Sequence, residues 1–217
     1  MMKTGQIILF FLSLSIALSA QNPVLYRGIP LGENLKETTS LLKKQGFKVV
    51  KTQIDKDDLF YGDHQEVFLL GEQDGYPAVI RLEASAKTKT VFIMDVILRV
   101  FIDTDEALEF LPRLEADEQV KAPSYERKQG QPGMGVVEMA DRKGRVTKYV
   151  TSPLLSFKYY FYEGPDHSQN NYRGCAIITV WDMMMEHEHI IETHYYDDKA
   201  AALAEAEGNG EWANKLR

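Results

Sequence analysis

The sequence predicts an α+β fold, mainly antiparallel sheet with a few helices packed on one face, in a pattern that allows two similar halves. Three observations predict it. Short runs of apolar and aromatic residues recur along the chain between Gly, Asp and Pro turn signals. Two stretches with apolar residues at helical spacing interrupt those runs. The composition, 44% hydrophobic and 26% charged, is that of a globular chain with a core to bury rather than a disordered one.

Residues 1–20 read as a cleavable signal peptide. Lys3 supplies charge, and Ile7 to Leu18 (IILFFLSLSIAL) is an uncharged apolar run. That run has the length of a signal hydrophobic region and is short for a membrane span. Leu18-Ser19-Ala20 ends on a small residue, so cleavage is expected after Ala20. This places the mature chain in the periplasm or outside the cell, with no membrane span after cleavage. The one cysteine, Cys175, cannot form an intramolecular disulfide, so the fold must hold without staples. The formal charge is -7 and becomes -8 when Lys3 leaves with the leader. An acidic surface repels phosphate backbones, which argues against nucleic acid as a partner.

Residues 33–45 predict a helix with a stripe of Leu35, Thr38, Leu41 and Leu42. Lys43 and Lys44 suit its C-terminal dipole, and Gly46 stops it so that Phe47 folds back on the stripe. Residues 47–54 read as extended. Val67 to Leu70 and Ala78 to Leu82 read as strands flanking a Gln73-Asp74-Gly75 turn. The strongest strand covers 90–102. Phe92, Met94, Val96, Leu98, Val100 and Ile102 share one face, and the other is mixed, with Asp95 and Arg99 among apolar residues. Asp103 or Thr104 caps the next helix, with Glu106 at capping-box distance from Asp103. Pro112 inside its stripe predicts a kink or an early end.

Residues 120–135, rich in Gly and Pro, read as a linker between an N-terminal half (21–122) and a sheet-rich C-terminal half (123–217), unless the two form one continuous domain. Strands are expected at Gly135 to Ala140, Val146 to Val150, Leu155 to Tyr162, Gly174 to Asp182 and His189 to Tyr196. Asp141 to Arg145 reads as a hairpin turn, Glu163 to Asn171 as a polar loop, and Ala200 to Glu207 as a terminal helix. A short echo links the halves. Ala78-Val79-Ile80 matches Ala176-Ile177-Ile178, and Phe101-Ile102-Asp103 matches Tyr195-Tyr196-Asp197, each Asp preceding a helix.

Tyr26-Arg27-Gly28-Ile29-Pro30-Leu31-Gly32, followed by a helix ending Lys44-Gln45-Gly46-Phe47, resembles the opening of uncharacterised secreted proteins of anaerobic Gram-negative bacteria. The strand Gly174 to Val180 and the strand closing on Tyr195-Tyr196-Asp197-Asp198 also resemble theirs. Such proteins are similar in outline to the β-lactamase-inhibitor-protein-like fold. The resemblance implies a sheet carrying helices on one face, and export. It implies no reaction, because members of that fold group mostly bind other proteins or have no known role, and it assigns no binding role to any residue here. The Met-rich Trp181 to Met185 stretch and the acidic tail depart from that pattern.

No catalytic, metal or nucleotide motif stands out, and no cofactor is expected. His187, His189 and His194 form the densest histidine cluster, but on a strand His194 faces away from the other two. The ligands of any weak metal site there would be Glu186, His187 and His189. Asp55, Asp57 and Asp58 lack the later ligands of a calcium loop. Gly130 to Gly135 lacks dinucleotide or P-loop spacing and reads as a flexible connector, and no Gly-x-Ser-x-Gly elbow occurs. Cys175, in an apolar strand, reads as a core thiol. Carboxylates are plentiful, but nothing selects a hydrolytic pair. The run Phe157-Lys158-Tyr159-Tyr160-Phe161-Tyr162 puts Tyr160 and Tyr162 opposite a core face. Tyr160 and Tyr162, extended by Trp181 and Tyr196, are therefore the candidate binding residues for a protein partner in the cell envelope. An exported binding module is the leading functional expectation. An exported hydrolase with an acidic site, or weak metal binding through His187 and His189, is the alternative.

Overall fold

The computed structural model describes residues 24–50, 65–101, 103–121, 125–130, 135–163, 167–183 and 188–209. The segment expected to be a signal peptide (1–20), the Asp55 to Asp58 run, Glu186 and His187 lie outside the described residues. A small hairpin, β1 (Leu25–Tyr26) and β2 (Ile29–Pro30), precedes helix α1 (Leu35–Lys44). Strands β3 (Lys48–Val50), β4 (Gln65–Gln73), β5 (Tyr76–Ala84) and β6 (Val91–Phe101) follow. Helix α2 (Thr104–Lys121) leads to β7 (Tyr125–Gly130), β8 (Gly135–Ala140), β9 (Val146–Tyr162), β10 (Tyr172–Met183) and β11 (Glu188–Asp197). Helix α3 (Asp198–Ala204) follows and runs on into a π-helical turn over Glu205–Asn209.

All of these strands except β1 and β2 form one antiparallel sheet in the order β3-β4-β5-β6-β11-β10-β9-β7, with β8 on the other half of β9. The predicted α+β, mainly antiparallel fold is what the chain forms. A helix followed by four paired strands occurs twice, as α1-β3-β4-β5-β6 and α2-β7-β9-β10-β11. The two sets meet where β6 pairs with β11, so the sheet is continuous from one to the other.

Local signals explain most boundaries. The Asn34 side chain accepts from Lys36 N at α1. Gly46 (φ 97) ends the helix, and Phe47 N donates to Leu42 O at 3.1 Å while its ring is buried. Asp74 (φ 53) and Gly75 (φ 88) make the tight hairpin turn between β4 and β5. Asp103 accepts from Asp105 N and Asp197 from Ala200 N, both at 2.9 Å. Glu106, expected in a capping box, instead accepts from the Tyr76 hydroxyl at 2.9 Å.

Four expectations are corrected. Of the two outcomes expected at Pro112, a kink or an early end, the early end does not occur, and helix α2 runs on past it. Pro112 and Leu108 are exposed, so water can satisfy the Leu108 carbonyl that the ring leaves without a donor. The linker contains β7, a polar Tyr-Glu-Arg-Lys-Gln-Gly strand that pairs with β9 through its backbone. The two strands expected over 146–162 are one, with Pro153 at a register shift where a missing donor is tolerated. On β6, irregularities opposite Glu83/Ala84 and His189/Ile190 turn Val91 and Phe101 onto the face shared by Met94, Val96 and Leu98.

That first face carries the main core. Leu69, Ile80, Leu82, Met94, Val96, Leu98, Ile178, Val180, Ile191 and Tyr195 pack there with Tyr26, Leu31, Leu35 and Leu42 from the N-terminal segment and Phe110 and Leu111 from α2. The Tyr26 to Gly32 motif is thus structural. Tyr26 is buried and donates to Gln73 Oε1 at 2.7 Å. On the second face Phe68, Val79, Ile97, Trp181 and Ile190 meet Val137 and Met139, because β8 and the first half of β9 curl over that side. Helix α3 sets Ala200, Ala201 and Ala204 against Phe92, Ile93 and Tyr196. Among the described residues no helix is long and apolar enough to cross a membrane.

Candidate functional site

Between the β8 cover and α3, the second face presents a strip of polar and aromatic side chains. Register places Lys158, Ile177, His194, Asp95, Arg81 and Phe68 side by side across β9, β10, β11, β6, β5 and β4. The next rung in one direction is Tyr160, Cys175, Tyr196, Ile93, Glu83 and Glu66. The next in the other is Ser156, Thr179, Glu192, Ile97, Val79 and Leu70. Charges adjacent on a sheet face must be paired or solvated, and here both occur.

Arg81 is the hub. Its guanidinium lies 2.6 Å from Asp95 Oδ2, 2.9 Å from Glu83 Oε1, 3.1 Å from Glu66 Oε1 and 3.6 Å from Glu138 Oε2. Glu138 comes from β8 and is shared with Lys148, at 3.2 Å. The guanidinium therefore ties the curled-over strand to the sheet. On the far side of Asp95, Oδ1 lies 2.5 Å from His194 Nδ1. Glu192, two residues along β11 on the same face, accepts from the Trp181 indole at 2.8 Å.

Burial and mutual charge set the protonation of this cluster. Burial, offset only in part by Arg81 and reinforced by Glu138 and Glu83, pushes the Glu66 carboxyl up to about 7. Its side chain is 4% exposed, and Oε2 has no hydrogen-bond partner. Burial and the neighbouring Asp95 charge also raise Glu192. Asp95 is itself buried, but Arg81 and His194 outweigh that burial and hold it below its ordinary value. For His194, burial favours the neutral ring, yet the Asp95 carboxylate wins and raises it. His194 is the open member, its side chain 31% exposed.

The tyrosines sit at the neighbouring end. Tyr160, Tyr162, Tyr172 and Tyr196 are half-buried. Tyr172 lies 6.2 Å from Tyr160 and 6.1 Å from Tyr162, ring centre to ring centre, and Tyr162 stacks on His167 at 4.6 Å. Lys158 Nζ is 5.1 Å from the Tyr160 ring centre. Burial, with Asp198 nearby, pushes the Tyr196 hydroxyl up to about 12. Burial also raises the Cys175 thiol, which is buried as expected of a core cysteine.

Of the candidate binding residues, Tyr160, Tyr162 and Tyr196 therefore share one end of the second face, and Tyr196 is flanked by the alanines of α3. Trp181 does not extend an exposed patch. It is 7% exposed, lies opposite Pro153, and is roofed by Gly135, where a Cβ would come within 2.6 Å of the indole. Gly135 is thus a close-packing position rather than part of a flexible connector. His189 and His194 face opposite sides of β11, as the spacing predicted. His189 Nε2 is 2.8 Å from Thr104 Oγ1 and its Nδ1 is 3.8 Å from Asp182. Among the described residues no three His, Cys, Asp or Glu side chains gather as metal ligands.

Sequence reading did not single out Arg81, Glu66 and Glu192, and it took Asp95 only as part of a mixed face. The usable signal was the presence of Arg81 and Asp95 in the middle of largely apolar strands, where a charge needs a buried partner. Comparisons with protein-family models, with curated proteins and with solved structures found no match.

Proposed function

We propose that this is an exported binding module of the bacterial cell envelope or secretome, and that the second face of its sheet is the binding surface for a protein partner. One observation carries the reading. Half-buried Tyr160, Tyr162, Tyr172 and Tyr196 adjoin the partly open His194 on a strip that neither β8 nor α3 covers completely. Tyrosines offer apolar area with a hydroxyl, and a neighbouring charged rung adds specificity. The apolar leader and the resemblance to secreted proteins of anaerobic Gram-negative bacteria support export.

The test is capture from native envelope extract, followed by a measured affinity for the captured protein. Tyr160→Ala with Tyr162→Ala should keep the fold and weaken that affinity at least tenfold, since truncated interface tyrosines cost about 1–2 kcal/mol each. Unchanged affinity removes this surface from the account.

A second reading, acid–base hydrolysis, is favoured by one geometry. Asp95 orients His194 through Nδ1, while Glu192, with its raised carboxyl, stands beside it. In that reading His194 takes a proton from water and protonated Glu192 supplies one to the leaving group. Turnover of nitrophenyl esters or glycosides that disappears in His194→Gln would favour it. Turnover that persists in His194→Gln would end it.

A further inference from the structure

Apart from the second face, and independently of its role, a groove of about 550 Å³ opens between α1 and the first face of β3 and β4. Asn34, Thr39, Ser40 and Gln65 contribute polar groups to its lining. Its floor is apolar: Leu35 is buried, Val67 is half-buried, and Val49 is 43% exposed. Its charged lining is entirely cationic, from Lys36, Lys43 and Lys89, on a chain whose net charge is -7. Among the described residues neither Lys36 nor Lys43 has a carboxylate partner, whereas Lys89 Nζ donates to the Ala86 carbonyl.

Spacing decides what kind of anion would fit. Lys36 and Lys43 are two turns apart on α1, about 10 Å along the axis, with the apolar floor beside them. A single phosphate or carboxylate headgroup needs cations that converge on one point. These are spread along a rim. An extended peptide that presents acid, apolar and acid side chains on one face has the matching pattern, because alternate residues share a face and four residues span about 13 Å. Lysine stems are long enough to absorb the difference. We propose that this groove binds an acidic, extended peptide segment of a partner protein, its carboxylates on Lys36 and Lys43 and an apolar side chain on the floor.

Calorimetric titration of the mature protein with acetyl-Glu-Val-Leu-Val-Glu-amide, beside acetyl-Gln-Val-Leu-Val-Gln-amide, tests it. The acidic peptide should bind at least tenfold more tightly. Lys36→Gln with Lys43→Gln should remove that advantage, and raising salt to 0.5 M should reduce it. Both lysines are exposed, so this variant keeps the fold. Val49→Glu, also at an exposed position, should weaken the acidic peptide by placing a like charge on the floor. Equal binding of the two peptides, an unchanged advantage in either variant, or binding of dodecanoate with no binding of the acidic peptide would overturn the proposal.

Discussion

Replacing Arg81 with Met is expected to cost about 3–5 kcal/mol of folding stability, the usual penalty for removing one partner of a buried ion cluster. The guanidinium reaches Glu66, Glu83, Asp95 and Glu138 from three different strands besides its own. Without it, Asp95 keeps only His194, Glu138 keeps Lys148, and Glu66 has no cation within reach among the contacts described. At this chain length the loss corresponds to roughly 10 °C in melting temperature. Adding Glu66→Gln to Arg81→Met should restore part of the stability, because one of the stranded carboxylates is then neutral. Denaturant unfolding checks both variants. A loss below about 1 kcal/mol would mean that the carboxylates do not depend on the arginine.

Stability is expected to fall as pH rises from 5 to 8. Glu66 titrates near 7 in the folded chain and near its ordinary value of 4.5 when unfolded. The folded form therefore holds a proton that the unfolded form releases. Its contribution is complete below about 4.5 and is lost as pH climbs through 7, which amounts to about 3 kcal/mol for this group. Glu192 and Asp197, raised by burial, act in the same direction. So does His194, whose raised value makes its contribution complete below 6.5 and lost above its folded value. Asp95 works the other way at the acid end. Held below 3.8, it stabilises above that value and loses its contribution as pH falls further. The optimum should thus lie between about pH 4 and 4.5, above the Asp95 loss and below the Glu66 loss, and Glu66→Gln should flatten the alkaline limb. Denaturant midpoints that stay level or rise between pH 5 and 8 would contradict the assignment.

Alternation and caps made most of the fold legible. Apolar residues two apart marked β5, β6, β10 and β11, and Asp103 and Asp197 marked the helices that follow the two central strands. The echo between Ala78-Val79-Ile80 and Ala176-Ile177-Ile178 falls on β5 and β10, which occupy matching places on either side of the β6–β11 junction. Strand β7 was illegible because its sequence, Tyr-Glu-Arg-Lys-Gln-Gly, has no apolar alternation and it joins the sheet through its backbone ladder. The swaps at Val91 and Phe101 were hidden because bulges break the period of two without any residue type that announces them.

The charged strip needed information that a linear pattern does not carry. Asp95 and His194 are 99 residues apart in sequence and are brought together by the register of β6 against β11. A sequence with 32 acidic residues offers many carboxylates, and only cross-strand register selects Glu66 and Glu192 from among them. The tyrosine alternation on β9 was readable, but the curl of β8 that roofs Trp181 was not.

Carbon-detected NMR titration of the glutamate side-chain carboxyls bears most directly on the second face as a cluster short of cations. Two glutamate signals should titrate near neutrality, far above the ordinary range, and Glu66→Gln and Glu192→Gln should each delete one of them. If those two signals instead moved between pH 4 and 5 with the exposed glutamates, burial would not raise these carboxyls and the cation-poor cluster would not exist.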